Sequence, residues 1–329
     1  MLRADAVFEG GGVKGIGLVG AVAVMEERGY QWMNLAGTSA GAIVASLLAA
    51  GYTGSELAGI LTGLDYLEFK DTTCFGRLPV AGPLGRLLIN KGIYRGRFFE
   101  DWLGDLLGKK GVTTFGDLAT EDFGGDPRYR FKLNVIVSDI TRGRLLVLPQ
   151  DIAGYGIRPE DLGVAQAVRM SMSIPFFYEP VTLKSKDDGC TSYLVDGGLL
   201  SNFPVWLFDS QDTVPAWPTF GFKLVEPEEG KPREIEGPVA LLNALFATMM
   251  EAHDARYIRE ENFVRTVPVP TLGIKTTEFD ITPERSQALY QSGRRAAEKF
   301  LADWDLRGYM EKYRQARSPG STERIRAGA

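Results

Sequence analysis

The feature that most constrains this chain is the run over residues 4–50. Two apolar stretches there each end in glycines, and each opens directly into a helix-like segment. Residues 4–8 read as a short buried strand and residues 10–15 as a loop. Residues 16–28 have helical spacing closed by Gly29, and residues 32–36 read as a second strand. Residues 40–50 form a helix of small apolar residues closed by Gly51. Strand, helix and strand in this order make a βαβ unit, with parallel strands and a right-handed crossover. The loops that follow the two strands then lie at one edge of the sheet. Residues 10–15 and the turn Gly37-Thr38-Ser39-Ala40-Gly41 are therefore expected to be neighbours.

Gly37 to Gly41 match G-x-S-x-G, the nucleophile elbow that holds a serine on a tight strand-to-helix turn with its hydroxyl uncrowded. The first loop, Gly10-Gly11-Gly12-Val13-Lys14-Gly15, also fits G-x-G-x-x-G, a dinucleotide-binding pattern. That use calls for an acidic residue near the end of the second strand to hold a ribose hydroxyl. The strand ends instead at Leu35-Ala36 with no carboxylate, and the loop lacks the G-K-[ST] ending of a phosphate loop. Acyl transfer uses the same geometry more fully. Ser39 Oγ attacks an ester carbonyl, and an oxyanion hole is expected from Gly10, Gly11, Gly12 and Val13, whose loop supplies the N–H donors. Side chains on those glycines would obstruct the substrate.

A serine nucleophile needs a base. The single histidine, His253, falls mid-helix among Met, Ala and Glu, although the order Ser39, Asp196, His253 fits a conventional triad. Asp196 is the competing base. It follows a short apolar strand, residues 193–195, which is expected to carry the carboxylate to the loop edge of the sheet, and Gly197-Gly198 leave room before it. An Asp-Gly pair also serves as an ordinary turn.

Taken together, Gly10 to Gly15, Gly37 to Gly41 and Asp196-Gly197-Gly198, in this order, resemble the patatin-like phospholipases. Lys14-Gly15 fits the basic residue and glycine that close the family's first motif, and "SMSIPFFYEP" (171–180) is similar to its small-residue segment before Pro and an aromatic pair. The resemblance implies an α/β fold with a mostly parallel central sheet flanked by helices. It also implies a Ser39–Asp196 dyad without a catalytic histidine, an oxyanion hole in the glycine loop, lipid-ester substrates and no calcium site. Other readings stay open: a soluble carboxylesterase or lipid acyltransferase on the same dyad, or a non-catalytic nucleotide-binding or scaffold protein.

Further strands are expected at 129–137, 144–148, 181–184 and 219–225, with helices at 159–170 and 283–300 and a strand-like "NFVRTVPVP" between. One domain over 1–315 with a disordered tail at 316–329 is the expected organisation. With 37 Lys and Arg against 42 Asp and Glu, the chain is mildly acidic, which argues against nucleic-acid binding. Cys74 and Cys190 lie too far apart for a metal-type spacing, and no cofactor is expected. The apolar run 40–50 is too short to span a bilayer, and the N-terminus lacks signal-peptide anatomy. A cytoplasmic protein follows, with signal-less secretion as an effector also compatible. Residues 71–99 mix Phe75, Leu78, Val80, Leu84, Leu87, Leu88 and Ile89 with Arg77, Arg86, Lys91, Arg95 and Arg97. They suit a lid or peripheral membrane surface, or equally a loop packed on the core. Nothing in the sequence sets an oligomeric state.

Overall fold

The computed structural model describes residues 1–71, 91–121, 125–186, 188–209, 216–227 and 260–313, with isolated positions between 235 and 248. It opens with the expected βαβ unit: β1 (Leu2–Phe8), α1 (Gly15–Glu27), β2 (Tyr30–Thr38) and α2 (Ala40–Ala49). Then come α3 (Gly54–Thr62), β3 (Gly92–Tyr94), α4 (Arg97–Lys109), β4 (Leu133–Asp139), β5 (Arg144–Leu148), α5 (Val164–Ser171) and β6 (Phe176–Tyr178). The chain continues through β7 (Val181–Lys184), β8 (Thr191–Asp196), β9 (Thr219–Val225), α6 (Glu260–Val264), β10 (Thr266–Pro270), α7 (Pro283–Asp303) and α8 (Leu306–Tyr313).

The main sheet runs β10-β9-β1-β2-β4-β8-β7, with β5 also paired to β4. From β10 through β4 neighbouring strands are parallel; β5, β7 and β8 pair antiparallel. This is the expected α/β architecture with a mostly parallel sheet. The central strands explain their own apolar composition. Ala4, Ala6, Val7 and Phe8 of β1, and every residue of β4, are buried, as strands covered by helices on both faces must be. Helices α1 and α2 have almost no polar face for the same reason: of α1 only the last two residues leave the core, and all of α2 is buried.

Three expected elements differ, one being the strand-like stretch 262–270, which starts inside α6 and becomes strand only at Thr266. The strand expected over 129–137 begins only at Leu133, because Asp126 caps a short turn at Pro127–Tyr129 by accepting the Arg128 N–H at 3.0 Å. The helix expected over 159–170 is two pieces, a turn at Pro159–Asp161 and α5. Gly163 between them stays extended at φ −66°, ψ 131°.

The outer edge of the sheet has a chemical signature. Along β10, Arg265 and Thr271 bond across to β9, so the alternate residues Thr266, Pro268 and Pro270 turn their backbone outward. Two of those three lack an N–H, and Ser292 Oγ of α7 caps the Pro270 carbonyl at 2.8 Å.

Candidate active site

Strand β2 ends at Thr38, and the chain turns into α2 through Ser39, which is held at φ 53°, ψ −126°. A positive φ is uncommon for a residue with a side chain, and such strain persists only where the surroundings enforce it. Several contacts enforce it here. The Ser39 N–H donates to Ser171 Oγ at 2.8 Å, and that hydroxyl donates to the Ile136 carbonyl of β4 at 2.6 Å. The Thr38 hydroxyl donates to the Ser201 carbonyl at 3.0 Å. Gly41 packs against the end of β1, where an added Cβ would stand 2.4 Å from the Phe8 carbonyl oxygen. Gly37 in turn lies against the Gly41 backbone. Ser39 is buried, and its Oγ lies 3.5 Å from the Met172 sulfur.

The glycine loop after β1 lies beside this turn. A Cβ on Gly10 would be 3.0 Å from the Ser39 Cβ, and one on Gly15 would be 3.3 Å from the Ala40 Cβ. The loop is fastened at both ends. The Gly10 N–H donates to the Asn202 carbonyl and the Val13 N–H to the Thr276 carbonyl, both at 3.2 Å. Gly12 needs to be glycine twice over: its φ is +57°, and a Cβ would come within 2.0 Å of the Thr276 oxygen. Of the four residues expected to form the oxyanion hole, Gly10 and Val13 thus have committed N–H groups. No hydrogen bond among the described residues engages those of Gly11 and Gly12. Lys14 carries its buried ammonium to Glu226, 2.7 Å away.

Asp196 arrives by a different route from the one its sequence suggested. Strand β8 runs antiparallel to β4, so its C-terminal end points away from the loop edge. It comes in from that edge and stops early, with Asp196 opposite Val137, one residue past the Ile136 that pairs with Thr38. A short inward strand thereby brings the carboxylate to the level of Ser39. The Asp196 N–H donates to the Ser173 carbonyl at 2.9 Å, and its Oδ1 accepts the Gly198 N–H at 2.7 Å. Burial of the carboxyl raises its pKa to about 7, while the Ser39 side chain and the Gly198 N–H oppose that rise. Gly197 sits against the Ile136 carbonyl, where a Cβ would have no room.

Ser39, the glycine loop and Asp196-Gly197-Gly198 therefore converge, as the sequence motifs anticipate. His253 and residues 72–90, with most of the apolar and basic residues read as a lid, lie outside the described residues, as does the tail at 316–329. Of the residues that tie the parts together, sequence reasoning singled out the segment holding Ser171 and Ser173 without giving either a role, and gave no role to Asn202 or Thr276. Asn202 anchors the glycine loop through its carbonyl and also through its Nδ2, which reaches the Gly10 carbonyl at 3.2 Å. Its only sequence signal is its place six residues after Asp196. Thr276 has none. Among the described residues no cluster of His, Cys, Asp or Glu is arranged to hold a metal. No described helix is long and apolar enough to cross a membrane.

Comparison with known proteins gives the family and the fold. The family model for patatin-like phospholipases matches residues 6–209, which include every motif above. The chain belongs to the patatin-like phospholipase family. A relative, the uncharacterized protein YqhO of Bacillus subtilis (strain 168), is 40% identical over 302 residues, covering 91% of this chain and 98% of YqhO. Among solved structures, VipD from Legionella pneumophila is similar in fold, with a TM-score of 0.54 at 19% identity over 91% of this chain and 66% of VipD. ExoU in its complex with SpcU from Pseudomonas aeruginosa matches with a TM-score of 0.49 at 18% identity, over 91% of this chain and 51% of ExoU. The chain thus spans about two thirds of the length of VipD and about half that of ExoU.

Proposed function

We propose that this patatin-like protein is a serine acyl hydrolase that releases fatty acid from phospholipid or a related lipid ester, with Ser39 as nucleophile and Asp196 as base. One observation carries the reading: strand register, with Thr38 paired to Ile136 and Asp196 to Val137, brings a fully buried carboxyl with its pKa pushed to about 7 to the level of the strained elbow serine. An ordinary Asp, with a pKa near 3.9, is too weak a base for a serine hydroxyl; one near 7 is matched to neutral pH.

The Ser39 hydroxyl transfers its proton to Asp196 as Oγ attacks the ester carbonyl. The uncommitted N–H groups of Gly11 and Gly12 receive the oxyanion, while Gly10 and Val13 hold the loop in place. Collapse of the tetrahedral adduct breaks the bond to the leaving alcohol, which takes the proton from Asp196. The acyl group stays on Ser39 until a water, deprotonated by Asp196, attacks it. Fatty acid then leaves and Ser39 recovers its proton. The reading assigns no part to calcium. Lipid-ester specificity rests on the family to which the chain belongs; contact with a membrane surface follows from where such esters reside.

The test is acyl release from phospholipid vesicles together with labelling by a fluorophosphonate probe. Wild type should release fatty acid equally with and without a calcium chelator and should label on Ser39. Ser39→Ala and Asp196→Asn should each lose on the order of a thousandfold in rate. Folded variants that keep their activity would refute the assignment.

A further inference from the structure

Two bulky apolar residues, Phe176 and Leu272, have left-handed backbones, at φ 68° and 55°, and expose 44% and 45% of their surface. For Phe or Leu either property is unfavourable, and the combination is rare. Each sits on a segment that holds the site. Phe176 follows Ser173, whose carbonyl takes the Asp196 N–H; Leu272 opens the loop whose Thr276 carbonyl takes the Val13 N–H. The two segments pack on each other, with the Phe177 and Phe279 rings stacked at 5.2 Å between centroids. Lys70 lies over the Phe279 ring, and Lys275 is exposed on the Leu272 loop. Behind Leu272 a cavity of about 960 Å³ runs along β10, walled by Val225, Pro268, Pro270, Phe300 and Trp304. Two segments that hold the site thus each carry an exposed, strained apolar residue, with Lys70 and Lys275 close to the Leu272 loop.

We infer that Phe176 and Leu272 form the bilayer-docking rim of the site, entering the acyl region of a lipid surface while Lys70 and Lys275 meet its phosphates. The inference rests on the proposed lipid-ester activity for its purpose, but not for its test. Burying these side chains in lipid offsets the unfavourable exposure they carry in water. Their backbone angles suit glycine, so replacing them with glycine removes strain as well as apolar contact.

The experiment measures co-sedimentation of the full-length Ser39→Ala protein, which binds without turnover, on phosphatidylcholine vesicles doped with phosphatidylglycerol. Phe176→Gly and Leu272→Gly together should weaken binding by about tenfold or more. The melting temperature should stay level or rise. In the active protein the same pair should slow vesicle hydrolysis and leave hydrolysis of a short water-soluble ester unchanged. Vesicle binding that is absent, or that changes less than about twofold, overturns the inference, as does a fall in melting temperature alongside the loss of binding. Rim-dependent vesicle binding by a protein that hydrolyses no lipid ester would leave the docking surface standing and defeat the hydrolase assignment.

Discussion

The two halves of the site are built by different means. The nucleophile half, β1 through α2, is local: two glycine loops and a serine lie within residues 10–41 of one βαβ unit. The base half is assembled at long range. Asp196 is held by Ser173, the Ser39 turn by Ser171 and Ser201, and the glycine loop by Asn202 and Thr276. Residues 171–173 belong to both halves, since Ser171 takes the Ser39 N–H and Ser173 takes the Asp196 N–H. Local structure makes the elbow; the spacing between hydroxyl and carboxylate is set from outside it.

The sharpest way to break this comparison is Asp196→Asn. Activity should fall about a thousandfold while the fold becomes more stable at pH 8. The sign follows from burial. A carboxyl whose folded pKa is raised favours its protonated form, so its contribution to stability is full below pH 4 and is lost as pH climbs toward about 7. Removing the charge should recover on the order of a few kcal/mol above that range, read as a higher urea midpoint at pH 8 than at pH 5 relative to wild type. The same pKa predicts that wild-type kcat/KM rises through a half-maximum near pH 7. Equal stability of wild type and variant at both pH values would remove the raised pKa, and with it the argument for Asp196 as base.

A smaller effect tests the local half. Gly12→Ala places a Cβ against the Thr276 carbonyl in a left-handed backbone, displacing one candidate oxyanion donor. The expected loss is about a hundredfold in kcat with little change in KM, by steady-state kinetics. Smaller still is Ser171→Ala, which leaves the buried Ser39 N–H and Ile136 carbonyl without their partner. That should lower stability by about 1–3 kcal/mol and slow fluorophosphonate labelling about tenfold. If labelling is untouched, the elbow holds itself, and the proposed dependence on the distant half is wrong.

The difference between the halves also explains what could be read in advance. The βαβ unit, the Ser39 turn and the strand at 219–225 were legible because period, glycines and closing residues agree over short windows. Asp196 could be named, but not its path: nothing in residues 193–198 says that β8 runs antiparallel and ends mid-sheet. Thr276 acts through a carbonyl that any residue possesses, and Asn202 does so in part, its side-chain amide adding the bond to the Gly10 carbonyl. The narrowing of the oxyanion donors to Gly11 and Gly12 depends on partners supplied by residues far along the chain.

The outward line of β10 has a consequence for how the molecule behaves in a crowd. Another chain arriving as an extended strand would need to receive as well as give bonds at every second residue, but Pro268 and Pro270 have no N–H to give, and the Pro270 carbonyl is already taken by the Ser292 hydroxyl. This flank of the sheet is thereby closed to growth by strand addition. Copies brought together at high concentration have no ladder to extend on that side.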